Sequence, residues 1–205
     1  MPVGRRERNK EDKQRRLEAA GLAGFLEEGF TGASVERIAE AADVARGTFY
    51  LYFRDKEALF TLLLDRLFQP LLGSVARARD ALAGCPDTPS TFPVYGMLAA
   101  ELAGLMIAQE GALRLYFGEA RAVGAGGECV RDRMREVNAL TISILDDAVQ
   151  RGVLRPHDTR TAAIAIVGGI DALVYAFLRD RSASDPVMVQ SEVITLFRHG
   201  LAPRE

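Results

Sequence analysis

The pattern of apolar and polar positions predicts helices along the whole chain. Apolar residues recur at helical spacing, and alternating runs of β-branched residues are missing. Val35, Ile38, Ala39 and Ala42, for example, follow the i, i+3, i+4, i+7 pattern of one buried stripe. We therefore predict an all-α fold of about nine helices. Their expected ranges are 9–28, 34–42, 45–53, 55–83, 94–109, 112–122, 128–151, 159–180 and 186–199.

Glycine, proline and capping residues mark the expected helix ends. Gly29 should stop the first helix, whose apolar face is formed by Leu17, Leu22, Phe25 and Leu26. Pro70 should kink or break the fourth helix, and residues 85–93, with three prolines, are predicted to be a loop. Further breaks are expected at Gly111, at Gly124, Gly126 and Gly127, at Gly152 with Pro156, and at Asp185 with Pro186.

The stretch from Phe30 to Phe60 carries the clearest functional pattern. Two short helices are joined by a tight turn, and Phe49 and Phe53 lie four residues apart on the inner side of the second helix. Its other side presents Arg46, Gly47, Thr48, Tyr50 and Tyr52. This arrangement is typical of a helix that enters the major groove of DNA.

Each residue type on that side has a physical reason to meet DNA. Arg46 can reach a guanine edge or a phosphate, and Gly47 lets the duplex approach the backbone. The hydroxyl groups of Thr48 and Tyr50 can bond phosphate oxygens. Lys56 begins the next helix, where a cation can join free backbone N–H groups in holding a phosphate.

From Gly29, the residues read G-F-x-x-A-S-V-x-x-I-A-x-A-A-x-V-x-R-G-T-F-Y-x-Y-F-x-x-K-E-x-L. Over roughly residues 9–60, the chain resembles the DNA-binding signature of the tetracycline-repressor (TetR) family. The resemblance implies a homodimer that reads a double-stranded, palindromic DNA operator and binds a small-molecule effector in a helical C-terminal domain. By position it implies a DNA-facing set of Ser34, Val35, Arg46, Gly47, Thr48, Tyr50, Tyr52 and Lys56. Tyr50 and Lys56 are the implied phosphate contacts, and Arg46 and Thr48 the best candidates for base contact.

Two positions depart from the family pattern. The turn residue is Asp43 where the family usually has Gly, and Asp tolerates the left-handed conformation better than most residues. The recognition helix begins with Ala45 instead of Ser or Thr, which removes an N-cap worth about 0.5–2 kcal/mol. We expect the turn to survive, with Asp43 as an alternative cap.

Charge and length fit two domains. The chain has 205 residues and a net charge of -2, but its first 16 residues hold seven basic and three acidic side chains. A basic arm on an acidic body suits phosphate contact at one end, although a solvated tail explains the charge equally well. We predict a helix-turn-helix domain at 1–54 and an effector-binding and dimerisation domain at 55–205.

The resemblance to the TetR family implies that the last two helices form the dimer interface. Small residues at Ala162, Ala163, Ala165, Gly168 and Gly169 would allow close helix approach. Buried area would come from Ile164, Val167, Leu173, Val174, Phe177, Val193, Ile194 and Phe197. A core helix within one subunit is the alternative. Pairing is favoured because two recognition helices must lie about 34 Å apart to read both half-sites.

An effector pocket is expected among the middle helices. Its candidate lining residues are Phe68, Tyr95, Met97, Met106, Tyr116, Met134, Asn138, Asp171 and Tyr175. Taken singly, each of these residue types is more often ordinary core. Asp171 and Asn138 are the most informative, because a polar group on an apolar face needs a partner.

An enzyme is disfavoured. His157 and His199 are flanked by loop or terminal residues, and Glu101 and Glu119 are isolated carboxylates. No phosphate loop or metal motif appears, so no cofactor and no metal site are expected. An activator or an architectural DNA-binding protein without ligand control stays open.

The simplest interpretation of the sequence is a cytoplasmic protein without a membrane partner. Cys85 and Cys129 lack metal-ligand spacing, and the first ten residues lack the apolar core of a signal peptide. Residues 161–178 approach membrane-spanning length, but Asp171 inside them would cost about 2.5–3.5 kcal/mol at a bilayer centre. A buried or interface helix explains this segment better.

Overall fold

The computed structural model describes residues 5–180 and the single residue Thr195. This part of the chain forms helices joined by turns, as the apolar pattern predicts. The helices are α1 (Arg5–Gly32), α2 (Val35–Ala41), α3 (Arg46–Phe49), α4 (Lys56–Ala83), α5 (Thr88–Ala108), α6 (Glu110–Glu119), α7 (Ala125–Gln150) and α8 (Thr159–Arg179). The helix expected at 186–199, with Asp185, Pro186, Val193, Ile194, Phe197 and His199, lies outside the described residues.

The chain divides into two compact units. The first combines residues 1–68 with 109–132, and the second combines residues 69–108 with 133–205. The helix-turn-helix helices α1 to α3 lie in the first unit together with α6. The boundary at 54/55 stays a prediction about the DNA-binding module.

The core of the first unit is aromatic. Phe25, Phe30 and Phe60 pack with ring centroids 5.0–5.9 Å apart. Leu17 is also buried on this side, whereas Leu26, expected on the same face, is 44% exposed. The buried face of α1 is therefore narrower than predicted. At Gly29 (φ 70°, ψ 172°) the chain leaves helical geometry. Gly29 marks the predicted stop, and one further turn follows it.

Two buried carboxylates tie the elements of this unit together. Glu119 on α6 accepts a hydrogen bond from the backbone N–H of Phe30 through Oε1 at 2.7 Å. Glu18 on α1 is buried and paired with Arg66 on α4. A buried charge requires such partners. The carboxylate of Glu119, which looks isolated in the sequence, thus has a structural role.

Close helix approach explains two glycines of this unit. A Cβ atom on Gly21 would lie 2.4 Å from Cδ2 of Leu59. Gly111, predicted to be a break, instead lies inside α6, where a Cβ would come within 2.8 Å of Cδ2 of Leu22. The predicted break itself falls two residues earlier, at Gln109 between α5 and α6.

The proline-rich loop predicted at 85–93 is mostly helix. α5 begins at Thr88, so Pro89 occupies the first turn, where its missing N–H costs no hydrogen bond. Oδ1 of Asp87 accepts from the N–H of Ser90 at 2.9 Å and supports this start.

Pro70, which was expected to kink or break the fourth helix, lies within α4, and the helix continues past it. Gly126 and Gly127, expected as breaks, lie in the first turn of α7, which Gly124 precedes with φ 104°.

Within the second unit, Arg151 holds the end of α4. Its guanidinium donates to the carbonyls of Leu82 and Cys85 at 2.9 and 2.7 Å. The Leu82 carbonyl, in the last turn of α4, also accepts from the N–H of Cys85 at 3.0 Å, and Cys85 lies just beyond the end of the helix. Gly152, with φ 73°, ends α7 as predicted.

Among the residues that the structure describes, three helices are long and apolar enough to cross a membrane by length and composition alone: α4, α5 and α8. The apolar windows of α5 and α8 are only 6% buried. These two helices therefore expose apolar surface that a partner could cover. The absence of a membrane partner stays a prediction.

Candidate DNA-binding surface

The turn between α2 and α3 is built around Asp43. This residue adopts φ 50°, the left-handed conformation that the family pattern assigns to glycine. Nη2 of Arg16, on α1, donates to the Asp43 carbonyl and to Oδ2 of Asp43, each at 2.8 Å, and to the carbonyl of Ala42. Arg16 thus fixes the turn from α1. In the sequence, Arg16 is one of the charges of the basic arm. Its contact with Asp43 could not be predicted, because 27 residues separate the two.

The strain at Asp43 gives a stability prediction. Asp43→Ala keeps a Cβ in the left-handed region, which costs about 1–2 kcal/mol, whereas Asp43→Gly removes that strain. Both lose the exposed ion pair with Arg16, worth about 0–1 kcal/mol. In urea unfolding we expect the alanine variant to be less stable than the glycine variant by about 1 kcal/mol. Equal stabilities would show that the turn is not strained.

Ser34 caps α2 as predicted. It adopts extended geometry, and its hydroxyl accepts from the N–H of Arg37 at 3.3 Å. Ala45, at the start of α3, supplies no side-chain cap. The alternative of a cap by Asp43 is not realised, because its carboxylate accepts from Arg16. Only the backbone bond from the N–H of Thr48 to the carbonyl of Ala45, at 2.7 Å, closes the first turn of α3.

The recognition segment has one buried side and one open side. Phe49 and Phe53 are buried, with ring centroids 5.5 Å apart, and they anchor α3 to the core. Arg46, Gly47 and Tyr50 are exposed. The remaining predicted DNA-facing residues, Ser34, Val35, Thr48, Tyr52 and Lys56, are half-buried. A duplex can therefore reach the face that the sequence pattern selects.

Arg46 is held by two neighbours on this face. Its Nη1 lies 2.9 Å from Oε1 of Glu36 on α2, and its guanidinium lies 5.9 Å from the ring centroid of Tyr50. The interaction with the Tyr50 side chain and the charge of Glu36 raise the pKa of Arg46. Glu36 and Tyr50 thus hold the guanidinium on this face. The sequence analysis does not single out Glu36, because its contact with Arg46 depends on how α2 and α3 lie against each other.

The ammonium group of Lys56 is used inside the protein. Nζ donates to the carbonyls of Phe30, Thr31 and Ala33 at 2.7, 3.2 and 2.8 Å. It also lies 4.8 Å from the ring centroid of Phe30. An ammonium group has three N–H donors, and all three are engaged. The geometry thus departs from the phosphate contact that the resemblance implies for Lys56.

The nine effector-pocket candidates do not fall in one unit. Phe68 and Tyr116 belong to the first unit, where both are buried and their rings meet at 5.7 Å. The other seven belong to the second unit, namely Tyr95, Met97, Met106, Met134, Asn138, Asp171 and Tyr175. Met97 and Tyr175 are exposed there.

Asn138 and Tyr95 are the two most informative of these. Nδ2 of Asn138 donates to the carbonyl of Met134 at 2.8 Å, while its buried Oδ1 has no hydrogen-bond partner among the described residues. Burial raises the pKa of Tyr95, so its hydroxyl stays protonated. These two side chains thus offer an unpaired acceptor and a neutral hydroxyl.

The sequence comparisons agree with a DNA-binding role for this surface. Residues 18–63 match the family model described as bacterial regulatory proteins, tetR family. The uncharacterized HTH-type transcriptional regulator YhgD of Bacillus subtilis is 26% identical over 167 residues, which cover 80% of this chain and 83% of YhgD. The HTH-type transcriptional repressor NemR of Escherichia coli is 40% identical over 55 residues, 27% of this chain and 28% of NemR.

Solved structures share the fold. NalD of Pseudomonas aeruginosa, the secondary repressor of the MexAB-OprM multidrug efflux pump, superposes with a TM-score of 0.74 at 23% identity, over 96% of this chain and 100% of NalD. FadR of Bacillus subtilis, in complex with stearoyl-CoA, gives 0.67 at 19% identity, over 89% of this chain and 96% of FadR. With its helix-turn-helix face open to solvent, this chain carries a DNA-binding domain that matches the tetR family model at residues 18–63, and it is a DNA-binding transcriptional regulator.

Proposed function

We propose that this protein is a cytoplasmic homodimeric repressor that binds a palindromic operator and leaves it when a small-molecule effector binds. The observation that carries the proposal is the open face of α3, on which Arg46 and Tyr50 project while Phe49 is buried. A short, anchored helix that carries ionic and hydroxyl groups can contact base edges in the major groove and bond phosphates. NemR and NalD, both described as repressors, support the direction of regulation.

The dimer is supported by one side of α8. Ile164 is 67% exposed, and Gly168 and Tyr175, one and three turns further along, are also exposed. A Cβ on Gly168 would meet nothing within 4 Å in the monomer. A helix of a second subunit could therefore approach this side closely. Ala163, which the sequence placed on the interface, is fully buried within its own subunit.

The effector would bind within the second unit. Support comes from the buried Oδ1 of Asn138, which could accept a hydrogen bond from a ligand. FadR of Bacillus subtilis was solved with stearoyl-CoA, which shows that a protein of this fold can hold a large amphipathic ligand. The chemical class of this protein's own effector is left to experiment, in which a bound ligand should raise Tm.

Arg46→Ala tests operator binding. Loss of one well-placed guanidinium contact to a base is expected to weaken binding to an operator selected from a random duplex library by about 1–3 kcal/mol. Fluorescence anisotropy at fixed salt measures this change. Arg114→Ala, which removes an exposed, ion-paired arginine from α6, is the control and should leave affinity unchanged.

Two results would contradict the proposal. Wild-type protein that selects no sequence from the library would exclude operator reading. An Arg46→Ala variant that binds as tightly as Arg114→Ala would exclude Arg46 from the contact. Transcription of a reporter behind the selected operator then separates repression from activation.

A further inference from the structure

Glu36 places a carboxylate beside the arginine that is the best candidate for reading a base. Its Oε1 lies 2.9 Å from Nη1 of Arg46, and the two side chains are 54% and 60% exposed. Glu36 belongs to α2 and Arg46 to α3, so the pair bridges the two helices of the helix-turn-helix. The guanidinium also lies over the ring of Tyr50, 5.9 Å from its centroid.

This ion pair contributes little to the stability of the fold. Ion pairs that are this exposed contribute little to folding, because water screens the charges and two long side chains must be ordered. The carboxylate also has a cost for binding, since a negative charge on a DNA-facing surface repels phosphate. Neither effect explains why Glu36 lies here, whereas an effect on sequence selection does.

We propose that Glu36 is a specificity-determining residue of the DNA-binding surface, and this proposal rests on the proposed operator reading. In complexes with non-operator DNA, Glu36 competes with phosphate for Arg46 and so weakens binding. On the operator, Arg46 forks onto O6 and N7 of a guanine, and the released carboxylate accepts a hydrogen bond from N4 of a neighbouring cytosine.

The effects of Glu36 on non-operator DNA and on the operator have the same physical cause. A guanidinium that bonds phosphate must give up its bond to Glu36 and leave a carboxylate close to the negative backbone. A guanidinium that bonds guanine leaves the same carboxylate facing base edges, where cytosine supplies an amino donor. The pair therefore penalises every sequence that lacks both partners, which is how a repulsive element raises specificity.

Glu36→Gln removes the charge without changing the shape of the side chain. We expect this variant to bind random-sequence duplex several-fold more tightly, with a slope of log affinity against log salt steeper by about one, because Arg46 becomes free to bond one more phosphate. In selections from a random duplex library, its preference for cytosine beside the guanine should fall by about five- to a hundredfold, and adenine, which glutamine pairs with, should replace it.

Glu40→Gln is the matched control, because it removes the same charge one turn further along α2 and leaves the pair of Arg46 and Glu36 in place. Thermal unfolding should show the same Tm for both variants and wild type. A Glu36→Gln variant that matches Glu40→Gln in random-duplex affinity, salt slope and selected sequence would overturn the role of Glu36 while operator reading stands. Wild-type protein that selects no sequence would overturn operator reading and this proposal together.

Discussion

Replacement of Gly47 by leucine is expected to abolish operator recognition without weakening the fold. A Cβ at this position meets nothing within 4 Å, so the protein itself gives no reason for glycine. Glycine in a helix costs about 0.8–1.0 kcal/mol relative to good helix formers, so the variant should unfold at equal or higher urea concentration. On DNA, the added side chain would hold α3 away from the groove. Affinity should then fall to the nonspecific level, a loss on the order of a thousandfold or more.

Gly118→Leu is the control for this experiment. Gly118 is exposed on α6, and a Cβ there also meets nothing within 4 Å. Both variants should gain helix stability in urea unfolding, but only Gly47→Leu should lose the selected operator in anisotropy titrations. Operator binding by Gly47→Leu at wild-type affinity would show that the duplex does not approach this part of α3.

Local signals in the sequence predict most of the DNA-binding module. The stop at Gly29, the cap at Ser34 and the left-handed turn at Asp43 each depend on one residue and its immediate neighbours. The anchoring of α3 by Phe49 and Phe53 follows from their spacing of four residues. Features of this kind can be read in sequence because backbone geometry and side-chain chemistry determine them locally.

Contacts between distant residues could not be predicted in the same way. Glu119 bonds the N–H of Phe30 across 89 positions, and Arg16 holds a turn 27 positions away. Both side chains look like ordinary surface charges in the sequence. Proline also misled the prediction at 85–93, since Pro89 interrupts nothing when it falls in the first turn of a helix.

Lys56 illustrates the same limit at the site itself. A lysine at the start of a helix near DNA-facing residues has the sequence pattern of a phosphate contact. The fold brings to its Nζ the carbonyls of Phe30 and Thr31 at the end of α1 and of Ala33 just beyond it, and these use every donor that the ammonium group has. We therefore infer that Lys56 positions the end of α1 and the start of α2 relative to α4, and so acts on DNA binding through the fold.

Lys56→Met distinguishes this positioning role from a phosphate contact. Methionine keeps an apolar stem but leaves the carbonyls of Phe30 and Ala33, both part-buried, without their donor, and it removes the cation from the Phe30 ring. We expect the free energy of unfolding to fall by about 2–3 kcal/mol, measured by urea unfolding. Operator affinity should fall as well, but the slope of log affinity against log salt should stay that of wild type. A lost phosphate contact would lower the slope by about one.

The exposed Lys10, in the basic arm on α1, provides the comparison for Lys56. Lys10→Met removes the same charge, and since an exposed side chain contributes little to folding, its unfolding transition should match wild type. If Lys56→Met unfolds like Lys10→Met and lowers the salt slope by one, Lys56 contacts phosphate and its carbonyl bonds are dispensable. If it is destabilised with an unchanged slope, the free energy that Lys56 contributes to DNA binding comes from holding α2 in place. Lys56 then has a structural role, although the sequence pattern assigns it a phosphate contact. The candidates for phosphate contact on the same face are then the hydroxyl groups of Tyr50 and Thr48.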